Sequence, residues 1–199
     1  MKEEIFIFGN SMCCTPKKES YLDLLKQDFD VNGLWFRGMT IWHIDIFIRN
    51  IVRGDSSWII INVGVTEAIT RSSHNILYYW MNELQKYGED SNFQKMYPYL
   101  KYLCLHPQEF DNIIPLTTFQ FLFDSCMLEN HKIIVVGLAY PQNLDNENRF
   151  ECCKMYNDFL KRYDNFIDVW YNDFSVDEAH LNREGHNYVY NLIKEKING

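Results

Sequence analysis

The chain has 199 residues, of which 47% are hydrophobic and 16% aromatic, and its formal net charge is -8. This composition predicts one folded globular domain spanning residues 1–199 and excludes a disordered chain. The acidic balance argues against sequence-independent binding of nucleic acid, which requires clustered Lys and Arg.

Five short apolar runs alternate along the chain with segments of helical period. They lie at residues 4–8, 31–36, 58–63, 132–138 and 166–170. Continuous apolar runs rich in β-branched residues are typical of strands buried on both faces of a parallel sheet. The alternation of strands and helices therefore predicts an α/β fold with a parallel sheet and helices on both sides.

Apolar residues recur at helical spacing between these runs. The first helix is predicted to begin with Thr15 as its N-cap and Pro16 at its first position. The apolar faces of the predicted helices are Tyr21, Leu24, Leu25 and Phe29; Ile76, Leu77, Trp80 and Leu84; Met155, Phe159 and Leu160; and Val189, Leu192 and Ile193. Residues 88–131 are interrupted by prolines and predict two short helices, either as an insertion beside a pocket or as an ordinary helical layer.

No targeting or membrane segment is expected in this chain. Residues 1–4 lead directly into a short apolar run, without the longer apolar stretch and cleavage site of a secretory signal. No apolar run reaches the roughly 18 residues that a membrane-spanning helix needs. Because no signal is visible and the six cysteines include two adjacent pairs, reduced thiols and a cytoplasmic location are predicted.

Polar residues follow four of the five runs, at the predicted carboxyl ends of the strands, where ligands of an open parallel sheet bind. They are 9–11 (Gly-Asn-Ser), 37–40 (Arg-Gly-Met-Thr), 64–67 (Gly-Val-Thr-Glu) and the pair Asp177 and His180.

Ser11, His180 and Asp177 have the chemistry of an activated hydroxyl. A serine hydroxyl is almost unionised at neutral pH and needs a base within hydrogen-bond reach. Histidine titrates in the useful range, and an Asp three residues before it can fix the imidazole tautomer. Ser11 taken alone would be interpreted as a helix N-cap, but the three residues together favour a catalytic interpretation.

The pattern resembles that of the SGNH (GDSL-type) hydrolases, a superfamily of esterases and lipases. Residues 9–11 are similar to its first block, usually Gly-Asp-Ser, with Asn10 in the Asp position. Gly38 matches the second-block glycine, residues 64–67 lie where the third block belongs, and residues 177–186 closely match the fifth block. The resemblance implies a flavodoxin-like three-layer α/β/α sandwich with a five-stranded parallel sheet.

The resemblance also implies roles for individual residues. Ser11 would be the nucleophile, His180 the general base and Asp177 its orienting carboxylate. The implied oxyanion hole consists of the backbone N–H groups of Ser11 and Gly38 and a third-block side chain. The family has Asn as that side chain, whereas this chain has Thr66.

The replacement leaves three alternatives open, because the loss of one oxyanion donor typically costs about 10²–10³ in turnover. The Thr66 hydroxyl substitutes for the amide, Asn10 or Asn62 compensates, or the enzyme is slow.

Residues 64–71 resemble a third-block variant of SGNH proteins from bacterial surface-polysaccharide gene clusters. In that subgroup the Asn is also missing, an acidic residue follows and an Arg closes the segment. The resemblance makes Asn10, Glu67 and Arg71 candidate substrate or rim residues. Arg71 would hold a sugar carboxylate or orient the rim through Glu67, and its alternative is a surface salt bridge.

The sequence thus predicts a serine esterase that hydrolyses a small acyl ester, with an acetylated sugar or glycan precursor as the expected substrate. No metal, organic cofactor or nucleic-acid partner is expected, and the oligomeric state is left open. Two alternatives remain: a glycan O-acyltransferase using the same three residues, and a catalytically weak carbohydrate-binding or assembly protein.

Overall fold

A sheet of parallel strands forms the centre of the fold. In the described part of the chain its members are β1 (Glu4–Gly9), β2 (Asp30–Trp35), β3 (Trp58–Asn62), β4 (Lys132–Val136) and β5 (Phe166–Ile167). Their order is β2-β1-β3-β4-β5, and every neighbouring pair is parallel. Strand β1 therefore lies in the interior of the sheet, with β2 on one side and β3, β4 and β5 following on the other.

This is a computed structural model, which describes residues 2–16, 18–36, 38–52, 57–68, 114–127, 131–142, 147–177 and 180–199. The predicted helix at residues 76–84 lies outside these ranges, as do 88–113 and 128–130 of the predicted insertion. The prediction of a single domain over residues 1–199 includes the same segments and stays a prediction.

Helices cover both faces of the sheet. They are α1 (Ser11–Cys14), α2 (Tyr21–Asp28), α3 (Ile41–Ile51), α4 (Val65–Ala68), α5 (Leu116–Ser125), α6 (Glu147–Leu160) and α7 (Arg183–Asn198), with a 3-10 turn at Asn172–Phe174. Helix α2 packs against α7, whereas α3 contacts α5, and α6 contacts both α4 and α5. The predicted three-layer α/β/α sandwich with a five-stranded parallel sheet is confirmed. Within the described residues, no helix is both long and apolar enough to cross a membrane.

Strands β1 and β3, in the interior of the sheet, are buried except for Glu4, as their continuous apolar sequence predicts. All five residues of β3 are buried, and Ile5, Ile7 and Phe8 of β1 are inaccessible to solvent. Burying each such side chain contributes roughly 1.5–3 kcal/mol. The edge strand β5 is shorter than predicted, since only its first two residues pair with β4.

The start of the first long helix differs from the prediction. Thr15 and Pro16 do not open it: Thr15 ends α1, and α2 begins at Tyr21 with Ser20 as its N-cap. The Ser20 hydroxyl accepts a hydrogen bond from the backbone N–H of Asp23 and donates to its carboxylate, at 3.3 and 2.6 Å. A serine three residues before an acidic residue is a strong start signal, and it prevails here over Thr-Pro.

The apolar face predicted for α6 is only partly buried. Phe159 and Leu160 of α6 lie in the core, but Met155 is 52% exposed. In α5, which falls within the region where two short helices were predicted, Phe119 and Phe123 are buried. Both rings pack edge-on against Phe159 and so join α5 to α6.

Candidate active site

Ser11 lies at the carboxyl end of β1, at the first position of α1. Asn10 caps this short helix: its side-chain oxygen accepts a hydrogen bond from the backbone N–H of Met12 at 2.9 Å. The backbone N–H of Asn10 donates to the carbonyl of Asn62 at 3.1 Å. A side chain at Gly9 would place its Cβ 2.7 Å from Cys13 Sγ. Glycine therefore allows the strand to turn directly into the helix that carries Ser11.

Asp177 and His180 lie on the loop after β5 and meet Ser11 across the sheet. His180 Nε2 is 3.0 Å from Ser11 Oγ, and His180 Nδ1 is 2.8 Å from Asp177 Oδ2. Because a carboxylate can only accept, Nδ1 carries the ring proton and Nε2 is left to accept from the Ser11 hydroxyl. The structure thus brings together three residues of which the first and last, Ser11 and His180, are 169 positions apart in the sequence.

The candidate oxyanion donors lie on loops that follow three neighbouring strands. The N–H of Ser11 is at the start of α1, and Gly38 adopts a φ of 79° in the turn closed by the Met39 N–H and the Phe36 carbonyl. The N–H of Phe36 in turn donates to the carbonyl of Gly9 at 3.2 Å. Thr66 lies on α4 and is half-buried.

The amides of Asn10 and Asn62 are less accessible than Thr66. Both side chains are buried, and Asn62 Nδ2 donates to the carbonyl of Val136 at 3.2 Å. Asn10 Nδ2 and Asn62 Oδ1 are enclosed without a hydrogen-bond partner among the described residues. Of the three side chains considered for the missing donor, Thr66 is therefore the one with solvent access.

Glu67, a candidate rim residue, is fully buried instead of standing at the surface. Its Oε1 accepts the N–H of Ile41 at 2.6 Å, and its Oε2 accepts the N–H of Gly64 at 2.9 Å. Burial raises the pKa of this carboxyl to about 7, although the two hydrogen bonds oppose the shift. Arg71, its proposed partner, lies outside the described residues.

Of the comparisons with known proteins, only the one with solved structures found matches for this chain. No protein-family model matches the sequence, and no curated protein matches it at a significant level. Solved structures do match over nearly the whole chain. A lipolytic protein of the G-D-S-L family from Desulfitobacterium hafniense has a TM-score of 0.60 and 13% identity, covering 98% of this chain and 99% of that one. The chain has the GDSL-type fold.

Two further structures of this fold support the assignment. A G-D-S-L lipolytic protein from Veillonella parvula has a TM-score of 0.56 and 15% identity, covering 97% of both chains. An acetylxylan esterase from Geobacillus stearothermophilus, solved as a catalytic mutant, has a TM-score of 0.58 and 13% identity. The match covers 98% of this chain and 94% of the esterase.

Gln142 supports the Asp177 loop of this GDSL-type fold, and the sequence analysis missed it. It follows β4, and its side-chain nitrogen donates to the carbonyls of Asn172 and Ser175 at 2.7 and 2.9 Å. Its backbone N–H donates to the carbonyl of Asp177 at 3.2 Å. The sequence signal for Gln142 was its position after residues 132–138, since polar residues had been considered after each of the other four apolar runs.

His186 joins the last helix of the GDSL-type fold to the segment after Ser11. Its Nε2 donates to the carbonyl of Thr15 at 2.7 Å, and its Nδ1 accepts the N–H of Tyr21 at 3.2 Å. Burial holds the pKa of His186 below its usual value. The neutral imidazole therefore fastens α7, which directly follows His180, to the chain that leads out of α1.

Proposed function

We propose that the protein is a serine ester hydrolase of the SGNH type. The observation that carries this proposal is the 3.0 Å approach of His180 Nε2 to Ser11 Oγ, with Asp177 at 2.8 Å on the other side of the imidazole. A nucleophile, a base and an orienting carboxylate in this arrangement are suited to acyl transfer.

The first half of the reaction transfers the acyl group to the protein. Ser11 Oγ forms a bond to the carbonyl carbon while His180 Nε2 takes the hydroxyl proton. The carbonyl oxygen becomes an oxyanion, which the N–H groups of Ser11 and Gly38 and the Thr66 hydroxyl stabilise. When the tetrahedral species collapses, the bond to the alcohol oxygen breaks and His180 gives its proton to the departing alcohol.

The second half releases the acid. A water molecule attacks the acyl carbon of the Ser11 ester while His180 Nε2 accepts a proton from the water. Collapse of the second tetrahedral species breaks the bond to Ser11 Oγ, which regains its proton from His180. Asp177 remains a carboxylate throughout, holding Nδ1–H and stabilising the imidazolium that forms twice per cycle.

Similar structures support an esterase with a small acyl group. The Geobacillus acetylxylan esterase was solved as catalytic mutants of a serine, an aspartate and a histidine, the last two being three positions apart. Asp177 and His180 have the same separation. We therefore propose an acetyl ester of a sugar or glycan precursor as the substrate, consistent with the surface-polysaccharide subgroup that residues 64–71 resemble. A cytoplasmic location and a rim role for Arg71 belong to the same proposal.

The test is Ser11→Ala, compared with wild type and with Ser57→Ala as a matched control. Ser57 precedes β3, at the amino ends of the parallel strands, whereas Ser11 follows β1 at their carboxyl ends. We expect Ser11→Ala to lose at least about 10³-fold in hydrolysis of p-nitrophenyl acetate and to lose labelling by a fluorophosphonate probe. The Ser57→Ala variant should retain both, and equal activity in Ser11→Ala and wild type would contradict the proposal.

The same assay separates the alternatives. Acyl transfer to an added sugar at the expense of hydrolysis would identify an O-acyltransferase, since water and a sugar hydroxyl attack the same acyl-enzyme. Glycan binding by wild type without fluorophosphonate labelling would instead identify a binding or assembly protein.

A further inference from the structure

Among the described residues, three hydrogen-bonded links join the segments at the carboxyl ends of β1, β2 and β3. Two are between backbone groups: Asn10 N–H to the Asn62 carbonyl, and Phe36 N–H to the Gly9 carbonyl, at 3.1 and 3.2 Å. Both join the first loop to one of its neighbours. The third link joins the second loop to the third, and it is made by the side chain of Glu67.

Glu67 bridges these loops with both carboxylate oxygens. Oε1 accepts the N–H of Ile41 at the start of α3, three residues after Gly38, and Oε2 accepts the N–H of Gly64, two residues before Thr66. The two loops carry the Gly38 and Thr66 candidate donors of the oxyanion hole. Gly38 and Gly64 both have positive φ, at 79° and 113°, so both loops turn sharply between the strand and the bridge.

The start of α3 is itself held in one arrangement. His43 Nδ1 accepts the N–H of Thr40 at 3.1 Å, and the ring of Phe36 stands edge-on to the imidazole at a centroid distance of 5.0 Å. Burial lowers the pKa of His43 to about 4, so the imidazole is neutral. A displacement at the start of α3 would therefore also disturb Phe36 and Thr40, which both contact His43.

An ionised carboxylate suits this bridge better than a neutral group. Both of its oxygens accept, and hydrogen bonds to a charged acceptor are roughly twice as strong as neutral ones. A carboxylic acid or an amide places a hydrogen on one of the two atoms that face an N–H. Tyr156 of α6 is a titratable group whose pKa is raised by burial and by the nearby charge of Glu67, so its hydroxyl stays protonated.

We propose that Glu67 is a positioning residue that sets the distance between the oxyanion donors at Gly38 and Thr66, and that its ionised form does so better than its neutral form. This inference rests on the proposed esterase function. Oxyanion donors must lie roughly 2.7–3.1 Å from the atom that carries the developing charge. A misplacement of about 1 Å can lower the rate about 10²-fold. Loosening the bridge is therefore expected to lower kcat more than it changes KM.

The experiment compares wild type with Glu67→Gln, using p-nitrophenyl acetate between about pH 5.5 and about pH 8.5. Glu151→Gln, an exposed site on α6, is the matched control. At the high end of this range we expect Glu67→Gln to lose roughly 10- to 100-fold in kcat, with KM changed less than about threefold. Towards the low end the ratio of the two kcat values should approach one, because wild-type Glu67 is then protonated as well.

Taking the ratio removes every effect of pH that both proteins share. A ratio that stays constant with pH, or that is already one at the high end, would overturn the inference while leaving the esterase function intact. A Glu67→Gln chain that fails to fold would also overturn it, because Glu67 would then be a structural residue only. Wild type that neither hydrolyses the ester nor reacts with the fluorophosphonate probe would instead refute the proposed function, and this inference with it.

Discussion

Asp177 holds His180 by two separate hydrogen bonds, one to its backbone and one to its imidazole. Asp177 Oδ1 accepts the backbone N–H of His180 at 2.8 Å, and Oδ2 is 2.8 Å from the ring Nδ1. The carboxylate is thus oriented by the same short loop that carries the base. Its side chain is 51% exposed, against 22% for His180, so solvent reaches the carboxylate more easily than the imidazole.

We predict that Asp177→Asn keeps the fold and loses about 10³–10⁴-fold in kcat. The asparagine oxygen can still accept the backbone N–H of His180, but its amide then presents N–H to the ring. Nδ1 would have to accept, and Nε2 would carry the proton and lose its ability to take one from Ser11. Steady-state kinetics with p-nitrophenyl acetate would show the loss, and circular dichroism would establish the fold. A kcat within a factor of about three of wild type would contradict the assigned role.

Gln142→Ala should lower kcat by roughly tenfold and should also lower thermal stability. The two side-chain hydrogen bonds of Gln142 contribute about 0.5–1.5 kcal/mol each, and they fix the loop that presents Asp177. Gln27→Ala, at an exposed position of α2, is the matched control and should leave kcat unchanged. Equal kinetics for the two variants would show that the loop holds Asp177 without this support.

Thr66→Val tests whether the hydroxyl stabilises the oxyanion. Valine keeps the shape of the side chain and removes the donor, so we expect kcat to fall about 10²-fold with little change in KM. An unchanged kcat would leave the N–H groups of Ser11 and Gly38 as the donors and would remove Thr66 from the site.

Gly33→Ala is predicted to destabilise the protein by about 3 kcal/mol or more. Gly33 lies in β2 with a φ of 121°, and an added Cβ would lie 2.1 Å from the carbonyl oxygen of Ile7 in β1. Asn32→Ala, an exposed neighbour in the same strand, should cost far less and provides the comparison. Urea unfolding of both variants measures the difference, and similar midpoints would contradict the clash.

Glu67 should make the stability of the wild type depend on pH. Its pKa in the folded protein, about 7, is raised above that in the unfolded chain, so the folded state binds the proton more tightly. The contribution of Glu67 to the stability of the fold is fully present below its pKa in the unfolded chain. It is lost as the pH rises through its pKa in the folded protein. Relative to Glu67→Gln, wild type should therefore lose thermal stability between about pH 5 and about pH 8. A constant difference across this range would mean that the carboxyl is already ionised at the lower pH.

The features predicted correctly from the sequence are those whose signals lie within a few neighbouring residues. The apolar runs that became β1 and β3 were placed within one residue of their bounds, since continuous apolar sequence and burial on both faces coincide there. The spacing of Asp177 and His180, together with a serine after the first strand, predicted three side chains that the structure brings into contact. Their catalytic roles remain proposals.

Other features depend on backbone groups, which side-chain patterns do not reveal. The partners of Glu67 are two N–H groups, so nothing in residues 64–71 distinguished a buried bridge from a rim carboxylate. Gln142 likewise binds carbonyls of a distant loop. The helix start at Thr15 and Pro16 failed for a different reason: a second start signal, at Ser20 and Asp23, lay a few residues further on and was stabilised by its own hydrogen bonds.

The contact between His186 and Thr15 has a consequence for biosynthesis. Ser11 is translated 169 residues before His180, whose imidazole would activate this serine, and also before α7, whose His186 binds the carbonyl of Thr15. A nascent or prematurely terminated polypeptide therefore has an ordinary, unreactive serine hydroxyl. The proposed ester cleavage can therefore begin only after α7 has been translated and has docked.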